Sequence, residues 1–306
     1  MWISLCTPLL VSLILTLTAP WAARRLPPRT AAWTLASAAV TAAGAWVTVL
    51  AMAGFTLVGQ DPEVAEEGRW SPRLLATDTP ISRPVAAACT LGVLICAVTL
   101  TVTAWRRVRV LVDTRRDCRD LPAAGDLAVL EDPVPTAFAL PGTPGRIVVS
   151  SGMLQALTPD ERRALLAHER AHLHRRHHLF LLVLQLAAAV NPLLRPLARA
   201  GAFALERWAD EEAGTVVADR GLVARAVARA ALATKRTPQP ALAATGGPVP
   251  QRVRALLAAP TPFRRGLAMV FPALMMVCCA SLALAAHDMD QLFDSATSSH
   301  TTTQAR

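Results

Sequence analysis

Leu165-Leu-Ala-His-Glu-Arg-Ala-His172 decides how the rest of the chain is read. Residues four apart on a helix share a face, so His168 and His172 can hold one metal ion between them. Glu169 lies about 100° further round the helix. At that edge of the site its carboxylate reaches a water at the metal without ligating the metal itself. The H-E-x-x-H spacing therefore predicts a hydrolytic zinc site. Just upstream, Thr158-Pro-Asp-Glu161 reads as a helix start, with Thr158 as N-cap, Pro159 at the first position and Glu161 placed for a capping box. Both imidazoles then fall in a helix interior, where ligand geometry is best defined.

The surroundings of this helix are apolar. The chain has 306 residues, 53% of them hydrophobic, and a net charge of +9. Four uncharged stretches match the roughly 20 helical residues needed to cross a bilayer: Trp2 to Ala23, Thr30 to Leu57, Pro84 to Trp105 and Gly266 to Ala286. Arginines gather at alternate ends of these stretches. Arg24, Arg25 and Arg29 lie between the first two, Arg106, Arg107, Arg109, Arg115 and Arg116 follow the third, and Arg264 and Arg265 precede the fourth. The opposite ends carry Asp61, Glu63, Glu66 and Glu67, and beyond the last span Asp288, Asp290 and Asp294. Basic flanks stay on the cytoplasmic side, which predicts extracytoplasmic termini and a cytosolic segment between spans three and four. The first span has no basic start and its charges follow the apolar run, so it reads as a retained anchor rather than a cleaved signal.

The predicted fold class is mainly α: a multi-pass membrane protein of four transmembrane helices, with a cytosolic α+β zincin-like domain between helices three and four. Residues 1–116 hold three spans and a basic connecting segment, 117–262 the domain, 263–287 the fourth span and 288–306 a polar extracytoplasmic tail. Five cysteines fall in spans and Cys118 on the reducing side, so no disulfide framework is expected. The arginines are not interleaved with aromatics, and direct nucleic-acid binding is not expected.

Within the domain, Ala137-Phe-Ala-Leu140 and Arg146-Ile-Val-Val-Ser150 flank a Pro-Gly-Thr-Pro-Gly turn and read as neighbouring strands. The first is a candidate edge strand on which an extended substrate pairs with Ala137, Phe138, Ala139 and Leu140. The uncharged run Leu179 to Leu194, broken by Asn191-Pro192, is short for a span and reads as a buried or membrane-dipping helix. Helices follow over 196–217 and 221–233. Thr237 to Pro262 is rich in Pro and Gly and reads as a linker around one short helix near Arg252 to Leu257.

Catalytic zinc commonly takes three protein ligands. Glu206, on the helix after the motif, is the best candidate for the third. Asp210 lies one turn on and is placed to hydrogen-bond a ligating imidazole and fix its tautomer. Glu211 and Glu212 are weaker alternatives to Glu206. His174 lies about 200° from His172 and cannot join it on one helix. With His177 and His178 it reads as polar, membrane-proximal surface.

His168-Glu-Arg-Ala-His172 followed by Glu206-Arg-Trp-Ala-Asp210 resembles the gluzincin pattern. Its place between a third and a fourth span is similar to the BlaR/MecR-type membrane metallopeptidases (metallopeptidase family fifty-six), cousins of the HtpX and CAAX prenyl protease group (family forty-eight). Thr136-Ala-Phe-Ala-Leu140 and Arg146 to Leu154 resemble the segments preceding the zinc helix in both groups, where Asn is frequent at the position of Thr136. The resemblance implies that His168, His172 and Glu206 bind one Zn2+ and that Glu169 is the general base. About 20 polar residues follow the fourth span, in place of the penicillin-binding domain of antibiotic sensors, so beta-lactam sensing through such a domain is not expected.

The expected activity is zinc-dependent endopeptidase cleavage of cytosolic or membrane proteins. By resemblance the substrate is a winged-helix repressor of the BlaI/MecI type, with HtpX-like quality control of membrane proteins as an alternative. A non-catalytic receptor stapled by zinc is a third reading, which an intact Glu169 disfavours. The chain contains no tyrosine to assist an oxyanion, so either zinc alone serves or a nearby side chain does, with Arg220 and His177 considered for that role.

Overall fold

The computed structural model describes residues 2–68, 70, 81–118, 121, 123–235, 249–263 and 265–304. Four helices are long and apolar enough to cross a membrane. They are α1 (Trp2–Arg25), α2 (Pro28–Val58), α4 (Arg83–Asp117) and α11 (Arg265–Gln304); a short α3 (Pro62–Gly68) follows α2. Proline in the first turn starts both α2 and α4, where its missing N–H costs nothing. Small residues let these helices approach closely. Ala31, Ala32, Ala38, Ala39 and Ala42 of α2 are buried in the helical core, and a side chain at Gly54 would meet Thr90 Oγ1 of α4 at 2.7 Å.

Two of the helices outrun their predicted spans. The basic stretch after Trp105 is the last part of α4, which runs on to Asp117. The polar tail after Ala286 continues α11 as far as Gln304 rather than leaving it as a separate segment.

The sheet has the order β1-β2-β4-β3, with β1 (Ala123–Ala124), β2 (Leu127–Leu130), β3 (Ala137–Leu140) and β4 (Arg146–Ser150). β2 and β4 are parallel, and β3 pairs antiparallel with β4 through Phe138↔Val148 and Leu140↔Arg146. The side chains of β4 alternate between two cores. Val148 packs with Cys118, Ala128 and Leu140, while Ile147 and Val149 pack with Met153, Leu157 and Leu165. β4 runs straight into α5 (Ser151–Ala156), whose cap is Ser150 Oγ accepting from Met153 N–H.

The zinc-motif helix α6 (Pro159–His174) starts with a complete capping box between Thr158 and Glu161. Arg170 pairs with Asp126 at 2.7 and 3.0 Å, which ties α6 to the β1–β2 turn. Next come α7 (His177–Val190), a 3-10 turn at Pro192–Leu194, α8 (Arg195–Val217), α9 (Arg220–Lys235) and α10 (Val249–Leu257).

α7 and α8 form a hairpin wedged among the membrane-type helices. At its tip Cys96 Sγ–H donates to the Val190 carbonyl (3.4 Å) and Thr16 Oγ1–H to the Leu193 carbonyl (3.0 Å). Leu184, Ala187, Leu194, Leu197 and Ala204 share one core with α1 and α2. The apolar run after His178 thus ends against the middle of α4 and returns, instead of crossing as a fifth span.

Candidate metal and peptidase site

Two antiparallel packing partners, α6 and α8, bring His168, His172 and Glu206 together. One donor atom from each lies within 4.8 Å of the other two, the arrangement of a group able to hold a metal ion. His168 Nε2 and His172 Nε2 are 3.1 Å apart, and each lies 3.7 Å from a Glu206 oxygen. The far nitrogens are engaged as well. His168 Nδ1 lies 3.0 Å from Asp210 Oδ1, and His172 Nδ1 lies 3.0 Å from His177 Nδ1.

The Asp210 carboxylate, which can only accept, sets the proton of His168 on Nδ1, and a proton on His172 Nδ1 pairs with His177 in the same sense. A proton on each ligand's Nδ1 leaves both Nε2 atoms as acceptors, facing each other and a carboxylate with no proton between them. A cation between them satisfies both nitrogens and the carboxylate at once. Tetrahedral zinc with bonds of about 2.0–2.1 Å holds two nitrogens about 3.3 Å apart, close to the spacing found here. The donor set of two imidazoles and one carboxylate is also a common one for catalytic zinc.

The charge count agrees. Glu169, Glu206 and Asp210 bring three negative charges, and Arg252 brings one positive charge. Arg252 grips Asp210 at 2.8 and 2.6 Å and reaches Glu206 Oε2 at 2.8 Å. A dication brings the ionised group to neutrality. Without one, burial and the Glu206 charge raise the Glu169 carboxyl above its ordinary value, against the pull of His168 and Arg252. Burial pushes His168 down, but the Asp210 carboxylate outweighs it and the imidazole is raised. Burial, with His168 and His177 alongside, holds His172 well below the usual imidazole range. Asp210 is also lowered, because the Arg252 guanidinium overcomes the cost of burial.

Glu169 is buried beside the triad and accepts a hydrogen bond from the Ala139 backbone N–H. Ser150 N–H donates to the Thr136 carbonyl (2.9 Å), so residues 136, 138 and 140 face β4 while Ala137 and Ala139 present their backbone groups outward. β3 is the edge strand, and its outward side meets the zinc-motif helix. Of the four residues considered for substrate pairing, Phe138 and Leu140 pack into the core beneath the sheet. Ala137 and Ala139 are half-buried, and their backbone groups form the outward edge of the sheet.

Two assignments change. His177 is 0% exposed, and instead of polar surface it forms the support behind His172, packed on Trp208 at 4.9 Å. Burial, with His168 nearby, lowers its pKa to about 4, so it faces His172 as a neutral imidazole. Arg220 is occupied by Glu211 and by the Ala255 and Ala258 carbonyls, away from the triad. Glu211 and Glu212 pair with Arg220 and Arg175 and do not replace Glu206.

Arg252 lies outside the spacing that marks the other site residues. A signal was present, because Val249, Arg252, Val253 and Leu256 share one face of α10, and a guanidinium on an apolar stripe needs a buried acid.

The group stands at the arginine-rich end of the long helices. Arg207 donates to the Ala23 carbonyl (2.6 Å), and the Arg29 guanidinium lies 5.9 Å from the Trp208 ring.

Residues 106–203 match peptidase family M48. The match supports a zinc metallopeptidase family related to the HtpX and CAAX protease group, rather than the BlaR/MecR type in particular. It covers α6 and stops short of Glu206, Asp210 and Arg252, whose case rests on the geometry above. No curated protein and no solved structure matches the chain.

Proposed function

We propose that this chain is a membrane-embedded zinc endopeptidase that cuts extended polypeptide segments laid along the edge of β3, on the cytoplasmic side of the bilayer. The observation that carries the reading is the convergence of His168, His172 and Glu206 beside the buried Glu169. When bound, zinc supplies the Lewis acidity that makes water nucleophilic near neutral pH and polarises a peptide carbonyl. The chain's own residues do the rest. Glu169 accepts the proton of the attacking water and releases it to the departing amine. Asp210 and His177 hold the two imidazoles in the tautomer that leaves Nε2 free. Ala137 and Ala139 pair with the substrate backbone, which fixes the scissile bond over the site.

The positive ends of the helices support the cytoplasmic placement. The M48 match favours a quality-control role, in which many membrane proteins are cut. The second reading, cleavage of one winged-helix repressor, is favoured by the position of the site between the third and fourth long helices. Comparing protein N-termini in cells expressing the native chain or Glu169→Gln separates the two. Many lost cleavage products support quality control, one or two support a dedicated repressor, and none at all sinks the peptidase reading.

The support behind His172 is testable by metal affinity. His177→Leu should weaken zinc binding about 10- to 100-fold, as measured by competition with a chromogenic chelator. His177→Asn sets an amide oxygen near the position of Nδ1 and should retain most of the affinity. Equal affinities for Leu and Asn would make His177 mere packing.

A further inference from the structure

We propose that the cavity between α4, the β3–β4 turn and the start of α7 binds the phosphate of an anionic phospholipid headgroup. The cavity is an open cleft of about 480 Å³, and the exposed Arg115 and Arg176, with His178 and Leu179, contribute to its walls. Arg115 Nε donates to the Pro141 carbonyl (2.7 Å), which pins the guanidinium to the wall and keeps its two terminal nitrogens for another acceptor. Arg176 sits in the left-handed region (φ 52) at the head of α7, and its side chain has no ion-pair partner among the described residues. The one carboxylate on the wall, Asp126, is already held by Nε and one terminal nitrogen of Arg170. Arg115, Arg176 and His178 line the same cavity, and burial together with the two guanidinium charges lowers the His178 pKa. Two arginines converging without a counter-charge suit a phosphate, whose oxygens match the guanidinium fork.

The height of the cavity selects a lipid over free phosphate. α7 runs antiparallel to α4, and Val190 of α7 touches Cys96 of α4. Climbing 12 residues from Val190 to His178, at about 1.5 Å per residue, comes level with residue 108 of α4. That level lies just past Trp105, where the uncharged run ends and Arg106 and Arg107 begin. Arg115 starts higher, but helical side chains lean toward the helix N-terminus, which for α4 is the membrane side. Val108, Val110 and Leu179 are exposed nearby, a surface along which acyl chains can lie. The site does not depend on peptide hydrolysis.

The test uses the full chain in neutral detergent and native mass spectrometry. The probes are dioctanoyl phosphatidylglycerol, dioctanoyl phosphatidylcholine, inorganic phosphate and an oligoglutamate peptide. Phosphatidylglycerol should bind tightest. Arg176→Asn, which tolerates the left-handed backbone, should weaken it about fivefold, and addition of Arg115→Gln about fivefold more. Arg115→Lys should lose less than Arg115→Gln, which separates lost charge from lost support of the turn. Equal binding of the two lipids, or unchanged affinity in the double variant, overturns the site. Inorganic phosphate binding as tightly as phosphatidylglycerol overturns the lipid assignment in favour of a free anion, and displacement of lipid by oligoglutamate overturns it in favour of an acidic peptide.

Discussion

Glu169→Gln should lower peptide hydrolysis by about a thousandfold or more, because general acid–base catalysis contributes about 10²–10⁴. Zinc content should remain stoichiometric. Glutamine keeps the size of the side chain and can still accept from the Ala139 N–H, so the pocket holds its shape. What it loses is the ability to take up a proton and return it. In the metal-free chain burial and the Glu206 charge raise the Glu169 carboxyl above its ordinary value. The measurement is turnover of an unstructured reporter protein by detergent-purified enzyme, paired with metal analysis of the same samples. Activity within about tenfold of the native chain would remove Glu169 from the mechanism. Loss of zinc together with activity would show instead that the carboxylate supports the metal.

The parts of this site legible in the sequence are those whose determinants are local. Thr158, Pro159 and Glu161 set the start of α6, and the four-residue spacing of His168 and His172 then places both on one face. Glu206 and Asp210 were legible as a pair one turn apart, although their distance to α6 depends on packing that no local pattern specifies. His177 was obscured by its neighbours. Arg175, Arg176 and His178 make the stretch look solvated, yet the left-handed turn at Arg176 swings α7 back so that His177 is tucked against His172. The four long apolar helices were legible from composition alone. The hairpin tip was half legible: Asn191-Pro192 marked the break, but the contacts with Cys96 and Thr16 come from distant helices. Arg252 was least legible, because its partners lie 42 residues or more away across a Pro- and Gly-rich stretch.

That distant arginine carries the second large effect. Arg252→Met should destabilise the metal-free chain by about 3–5 kcal/mol, the usual result of breaking a buried ion pair from one side. Asp210 is 1% exposed, and the substitution leaves its carboxylate without the two hydrogen bonds that hold it ionised. At roughly 2–4 °C per kcal/mol, apparent melting in detergent should fall by roughly 6–20 °C. Pairing the change with Asp210→Asn should restore at least half, since removing both charges of a buried pair costs far less than removing one. The sign with respect to pH follows from Asp210. A depressed carboxyl stabilises the fold above its unfolded pKa of about 3.9, and that contribution fades as pH falls through the lower folded value; Arg252→Met should weaken this acid-side dependence, leaving the smaller part that His168 supplies. The response to zinc separates electrostatics from packing. If Arg252 offsets the negative charge of Glu206 and Asp210, a bound dication replaces part of the missing charge, and the variant should lose less stability with zinc than without. An equal loss in both forms would reduce Arg252 to a clamp between α10 and α8.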